Sequence, residues 1–165
     1  TEMTGFLPIA DHKSFAGRLS TGGCTALIRA TLDGLSSMQG YALSLKQSDY
    51  MTSGVMVVIT DGADNASQPH TLDEIRQLVI QMVEKDRVLQ SLQTILVAVN
   101  AGECAQYLQK FQQDAKFDQF IDIGDATPRK LAKLAAFVSQ SVSSSSQALN
   151  TGQAPAAVAP PSLGI

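Results

Sequence analysis

The sequence predicts an α/β fold, a Rossmann-like three-layer α/β/α domain with a mainly parallel sheet. Two observations lead to this prediction. Short apolar runs of strand length alternate along the chain with longer segments of helical periodicity. Two of these runs, residues 55–59 and 94–99, lack the polar alternation of a half-exposed strand, so we expect them to be buried on both faces. Such strands are joined by helical crossovers that cover both sides of a parallel sheet.

The composition is that of an ordinary globular chain. Its 165 residues, 44% hydrophobic and 16% charged, suffice for one domain with a real core. The 12 basic and 15 acidic residues are scattered, which gives no basic stripe for nucleic acid and no polybasic patch for a membrane surface. No apolar run approaches the ~18 residues of a membrane span, and the first residues lack the pattern of a signal peptide. We expect neither nucleic acid nor membrane as a partner.

The cysteines bear on the cellular compartment. Cys24 and Cys104 are far apart in the sequence and belong to no CxxC motif or Cys/His cluster. This pattern predicts neither a zinc site nor a disulfide framework, and it favours the reducing cytoplasm.

The first predicted helix precedes the strand at 55–59. Residues 20–25 form a loop by composition, and the helix starts at Thr25. Its apolar residues recur at helical spacing up to residue 38, and the segment 47–49 ends it.

Three further helices follow. The sequence from Thr71 to Glu74 matches a capping box, in which each side chain bonds the other residue's backbone, and it opens a second helix. A third helix spans residues 104–115. A short strand at 120–124 comes next, after which Thr127, as N-cap, precedes a first-turn proline that opens the fourth helix.

From residue 143 onward the composition shifts to Ser, Gln, Ala, Gly and Pro. Such a segment buries too little apolar surface to offset its ordering entropy. We therefore divide the chain into an α/β domain, residues 1–142, and a flexible tail, residues 143–165.

Asp61 is the first candidate functional residue, because it directly follows the strand at 55–59. Ligands of open α/β sheets bind beyond the carboxyl ends of the strands. If the loop before the first helix reaches the same edge, the Thr25 hydroxyl approaches Asp61, with Asp64 and Asn65 nearby. Oxygen ligands with room for water suit a hard cation, so Mg²⁺ is the expected metal, with Mn²⁺ as a substitute. A turn at Asp61 and a helix cap at Thr25 are the structural alternatives.

Two segments resemble the second and third segments of a von Willebrand factor A domain that carries a metal-ion-dependent adhesion site. They are GGCTAL at 22–27 and VVITDGADN at 57–65. Residues 137–147, FVSQSVSSSSQ, are similar to bacterial members of that family, including those found near tellurite-resistance genes. The resemblance covers most of residues 20–147. It implies that Thr25 ligates the metal directly and that Asp61 acts through water or weakly. One coordination position is then left for an acidic residue of a partner protein.

The sequence departs from that family at the first metal segment. The Asp-x-Ser-x-Ser motif, the strand before it and the two neighbouring strands are absent, so the chain resembles the C-terminal portion of such a domain. The resemblance implies that strand 55–59 pairs with strand 94–99 on one side and has an open edge on the other. We expect weak metal binding. We also expect either a longer polypeptide or a second chain or copy that completes the sheet.

The resulting interpretation is a protein-binding module and not an enzyme. One alternative is Mg²⁺-dependent phosphoryl transfer on a doubly wound sheet, which uses carboxylates at strand ends. It lacks the nucleophilic Asp-x-Asp expected after a first strand, since Asp11, Asp33 and Asp49 stand alone. The other alternative is a structural or assembly subunit with no working site. His70, in the loop beyond Asp61, is interpreted as a surface residue.

Overall fold

The computed structural model describes residues 5–11, 24–152, 156 and 158–160. Four α-helices and three strands alternate along this part of the chain, as the sequence predicts. They are α1 (Leu27–Gln47), β1 (Ser53–Thr60), α2 (Leu72–Ile80), β2 (Ser91–Ala98), α3 (Ala105–Ala115), β3 (Gln119–Asp122) and α4 (Pro128–Thr151). A π-helical segment, Gln81–Lys85, continues α2, and 3-10 turns occur at Ile9–Asp11 and Gly102–Cys104. Most of the predicted loop at 20–25 lies outside the described residues.

The three strands form one parallel sheet in the order β1-β2-β3. The register places Ser53 opposite Ser91 at one end of β1 and Thr60 opposite Ala98 at the other. Within the described residues no strand pairs with the outer edge of β1, so the open edge expected there is present.

Helices cover both faces of the sheet, which confirms the three-layer α/β/α prediction. On one face α1, α2 and α3 share a core with β1 and β2. The largest fully buried side chains of that core are Leu35, Ile75, Met82, Leu96, Leu108 and Phe111. On the other face Leu134 and Phe137 of α4 share a second core with Ile95, Val97, Ile121 and Ile123.

The fourth helix is longer than the sequence predicts. It continues from residue 143 to Thr151 and ends at Gly152, whose φ of 66° is a left-handed conformation that suits glycine. Ser145 and Ala148 are buried on this added length. Their small side chains are thus buried despite the low helix propensity of serine.

Of the two helix caps predicted from the sequence, one is present and the other is not. Thr127 caps α4 by accepting a hydrogen bond from the Lys130 N–H, as predicted. Thr71 is the N-cap residue of α2, but the capping box is wrong, since Thr71 makes no side-chain cap bond. The Glu74 carboxylate instead lies 2.9 Å from Nδ1 of His70. Among the described residues, no helix combines the length and the apolar character needed to cross a bilayer.

Candidate functional site

The loop after β1 and the start of α1 meet at the carboxyl edge of the sheet. The Thr60 hydroxyl donates to the Gly62 carbonyl over 3.0 Å, which turns the chain immediately after the strand. Further along the loop, Asn65 bonds Thr25 twice. Its N–H donates to the Thr25 carbonyl over 2.9 Å, and its Oδ1 accepts from the Thr25 N–H over 2.8 Å. The convergence expected for these two loops is therefore observed.

Thr25 contacts Gly62, the residue that follows Asp61. A Cβ atom placed on Gly62 would lie 3.3 Å from Thr25 Oγ1, so the hydroxyl rests against the residue that follows Asp61. Thr25 is half-buried and Asp61 is exposed. Within the described part of the chain, no hydrogen bond or ion pair engages the Thr25 hydroxyl or the Asp61 carboxylate. Both oxygen groups can therefore face a ligand from solvent.

Asp64 has a different role from the one considered for it. Its Oδ1 accepts hydrogen bonds from the Ile28 N–H, over 3.0 Å, and from the Ser67 hydroxyl. Ser67 Oγ in turn accepts from the Arg29 N–H over 3.0 Å. These are backbone donors of the first turn of α1, which have no partner within the helix. The loop thus caps α1 from a distance, and the negative charge of Asp64 suits the positive end of the helix dipole.

The structure explains why Thr25 is not the cap of its own helix. The N-cap residue is Ala26, which makes no side-chain cap bond. Ser67 is 1% exposed, and its role as a cap was missed because no local pattern marks it.

Tyr107, on the first turns of α3, is a second residue that the sequence analysis missed. Partial burial and then the nearby Asp64 carboxylate raise the pKa of the Tyr107 phenol above its ordinary value. A backbone hydrogen bond from Asp64 acts in the opposite direction. Tyr107 therefore lies near Asp64, in the loop that follows β1.

Two other polar groups near this edge are already paired. The ion pair with Lys130 lowers the pKa of Asp125, in the loop after β3, below the ordinary value. His70 lies between Glu74 and the guanidinium of Arg29, whose Nη1 is 3.3 Å from Nε2 of the ring. His70 therefore belongs to a surface network, and the interpretation as a surface residue agrees with its position.

A divalent cation would find two protein oxygens here. Among the described residues no three His, Cys, Asp or Glu side chains cluster in a metal-ligand arrangement. Mg²⁺ keeps several waters and needs only one or two protein ligands, so the Thr25 hydroxyl with the Asp61 carboxylate fits a weak, largely hydrated ion. Oδ1 of Asp64 is engaged at the start of α1, so that oxygen contributes charge near the site and not a ligand.

The fold and this edge define an α/β protein with a candidate oxygen-donor site beyond its strand ends. Comparison with known proteins adds no family to this description, since no protein-family model, curated protein or solved structure matches the chain.

Proposed function

We propose that the chain is a metal-dependent protein-binding module of the von Willebrand factor A type. In this proposal Thr25 and Asp61 hold Mg²⁺ or Mn²⁺ weakly, and the bound ion recognises an acidic side chain of a partner protein. The observation that carries the proposal is the position of the Thr25 hydroxyl against Gly62, the residue after Asp61, at the carboxyl edge of a parallel sheet. The sequence resemblance at 22–27 and 57–65 supports the same assignment.

The surroundings of the two residues also support a binding role. Neither oxygen group has a partner within the described residues, whereas the adjacent Asp64, Asn65 and Ser67 are engaged in holding α1. The loop after β1 is therefore held by hydrogen bonds at Asp64, Asn65 and Ser67, whereas the Asp61 carboxylate is left for a ligand. A site fixed by such bonds needs little reorganisation when a ligand arrives.

Metal binding is tested by titrating the chain with Mn²⁺ and following the paramagnetic broadening of its amide NMR signals. We expect weak binding that broadens residues around Gly62, and its loss in Asp61→Ala and Thr25→Val. Asp125→Asn is the matched control, because that carboxylate lies at the same edge but is paired with Lys130. Binding that is tight and survives Asp61→Ala would contradict the proposed site.

Partner recognition is tested by capture experiments with and without a chelator. We expect binding that requires the divalent cation and an acidic residue on the partner. Turnover of phosphate esters that is lost in Asp61→Asn would favour a phosphoryl-transfer enzyme instead.

The proposal extends to the environment and assembly of the chain. Cys24 and Cys104 are free thiols, which supports a reducing compartment such as the cytoplasm. The unpaired edge of β1 supports a second chain or copy that completes the sheet.

A further inference from the structure

The sheet face covered by α4 is divided by that helix. α4 begins shortly after β3 and shares a core with residues of β2 and β3, yet most of its backbone proximity to the strands is to β1. It therefore crosses the sheet from the β3 side towards the β1 side. A single helix that crosses three strands leaves an area of sheet on each of its two flanks.

The chain itself fills the area beside β3. The Ser144 hydroxyl donates to the Ala156 carbonyl over 2.9 Å, and Gln119 Nε2 donates to the Val158 carbonyl over 3.0 Å. Val158 packs on the core beneath α4. One flank of the helix, the one that carries Ser144, is thereby covered by an apolar segment.

The other flank of α4 has no such cover among the described residues. At about 100° per residue, Leu131, Val138 and Val142 share one side of the helix, and Ser144 lies on the opposite side. Leu131 is 43% exposed and Val142 is 47% exposed. Because the flank with Ser144 faces β3, this apolar flank faces β1.

β1 continues the same apolar surface. Val55 and Val57 pack against the core beneath α4, and the alternation of side chains along a strand places Ile59, which is 60% exposed, on the same face. We call this surface, formed by Val57, Ile59, Leu131, Val138 and Val142, the β1/α4 corner. Its residues are uncharged, so two such corners can meet without repulsion between like charges.

The edge of β1 lacks the features that protect sheet edges from pairing. The strand is eight residues long and contains no lysine, no other charged residue and no proline. Natural edge strands are usually short, charged, bulged or covered. Within the described residues no strand pairs with this edge, so it is open there to the backbone of another strand.

The two ends of β1 make the edge self-complementary. Tyr50 and Met51, which lead into the strand, are 64% and 67% exposed, and Ile59 near its other end is 60% exposed. Antiparallel pairing of two β1 strands brings the exposed start of each strand towards the exposed end of the other. A two-fold axis perpendicular to the sheet also keeps both α4 helices on the same face, so each copy supplies the strand and the helix flank that the other lacks.

We propose that the β1/α4 corner binds a second copy of this chain, through antiparallel pairing of β1 with β1 and contact between the α4 flanks. The proposal uses neither Thr25 nor Asp61 and is independent of metal binding. The two ideas can therefore fail separately.

The test is the mass of the full chain in solution, measured by sedimentation in the presence of a chelator over about two decades of concentration. We expect the mass to rise from 17.5 kDa to twice that value. Ile59→Lys and Leu131→Lys should each weaken association at least tenfold, because each places a charge in the interface. Leu43→Lys is the control, since Leu43 is an equally exposed leucine on α1 (45%) and should leave association unchanged.

Two further measurements accompany the sedimentation experiment. Circular dichroism shows whether each lysine variant is folded, and hydrogen exchange should show slower exchange of the outward β1 amides at high concentration. A chain that stays monomeric throughout overturns the proposal and leaves the edge to a different polypeptide. A dimer that survives both Ile59→Lys and Leu131→Lys overturns it as well.

Discussion

Asp61 and Asp64 occupy one loop and have opposite surroundings. The Asp61 carboxylate is exposed, and within the described residues nothing bonds it, whereas Asp64 accepts bonds from the Ile28 N–H and the Ser67 hydroxyl. Removing a side chain that caps a helix costs about 1 kcal/mol, whereas removing an exposed side chain without partners usually changes stability by less than about 0.5 kcal/mol. Substitution of Asp64 should therefore affect stability, whereas substitution of Asp61 should affect only binding.

We accordingly expect Asp64→Ala to lower the free energy of unfolding by about 1 kcal/mol. Asp61→Ala, the matched control, should leave it unchanged while abolishing the proposed metal binding. Urea unfolding of the metal-free variants measures both effects. Equal stability of Asp64→Ala and the parent chain would show that the bond to the α1 backbone is unimportant in solution.

Tyr107 provides a spectroscopic probe of the same loop. Partial burial, and then the charge of Asp64, raise the pKa of the Tyr107 phenol above its ordinary value. We expect Asp64→Asn to lower the Tyr107 pKa, because it removes the charge and keeps the shape. NMR of ring-labelled tyrosine, assigned with Tyr107→Phe, measures the change. An unaltered pKa would place the phenol away from Asp64.

The raised pKa also fixes the sign of a pH effect. Because the folded pKa of Tyr107 lies above its unfolded value of about 10, the neutral phenol contributes stability below pH 10. That contribution is lost as the pH rises through the folded pKa. Tyr107→Phe should remove this part of the alkaline decline in stability.

At the residue scale the sequence predicts only part of the candidate site. Thr25 and Asp61 could be placed together on the hypothesis that the loop before α1 reaches the edge of the sheet where the strand at 55–59 ends. The capping role of Ser67 and the position of Tyr107 depend on contacts between residues distant in sequence. No local spacing encodes those contacts, so they became visible only in the folded chain.

Among the elements, α1 and β1 are in close contact at Gly54. A Cβ atom on this residue would lie 2.6 Å from Met38 Sδ and 2.9 Å from Leu92 Cδ1. Both neighbours are packed in the first core, so they have little room to move.

We therefore expect Gly54→Ala to destabilise the fold by about 1–3 kcal/mol through overpacking. Gly40→Ala is the control on α1, because a Cβ there meets nothing within 4 Å. It should stabilise the helix by about 0.5–1 kcal/mol. Urea unfolding measures both, and a neutral Gly54→Ala would mean that α1 can shift away from the sheet at no cost.

The order and type of the elements were predictable, whereas some boundaries were not. β2 begins at Ser91, ahead of the predicted apolar run, because Ser91 and its neighbours gain backbone pairing with β1 despite their mixed polarity. α4 extends past residue 143 because Ser141 and Ser145 are small enough to be buried on the sheet, although their hydroxyls have no partner among the described residues. In both cases tertiary packing outweighs local preference.

In the molecule as a whole, the two faces of the sheet are covered unequally. Three helices lie on one face, and α4 with the segment around Val158 lies on the other. On the face covered by α4, single residues of the segment around Val158 therefore contribute to the stability of the core.

Val158→Ser tests this dependence, since it removes apolar contact while the hydrogen bond from Gln119 Nε2 to the carbonyl of residue 158 can persist. We expect a loss of about 1 kcal/mol in the free energy of unfolding, because a half-buried methyl pair is replaced by a hydroxyl. Leu43→Ser, at an exposed position on the opposite layer, is the comparison and should cost less. Thermal and urea unfolding decide between them. Equal effects would show that the segment does not stabilise the second core.

The remote cap of α1 has a consequence for the order of events during synthesis. Asp64, Asn65 and Ser67 complete the start of the helix from positions 36 to 40 residues further along the chain. When α1 leaves the ribosome, the residues that satisfy its first backbone amides have not yet been added. Its later turns can form by themselves, but its first turn must wait until β1 has been made and the following loop has closed on it. The first turn of α1 therefore forms only after the loop that follows β1 has been synthesised, at the same stage as the candidate site.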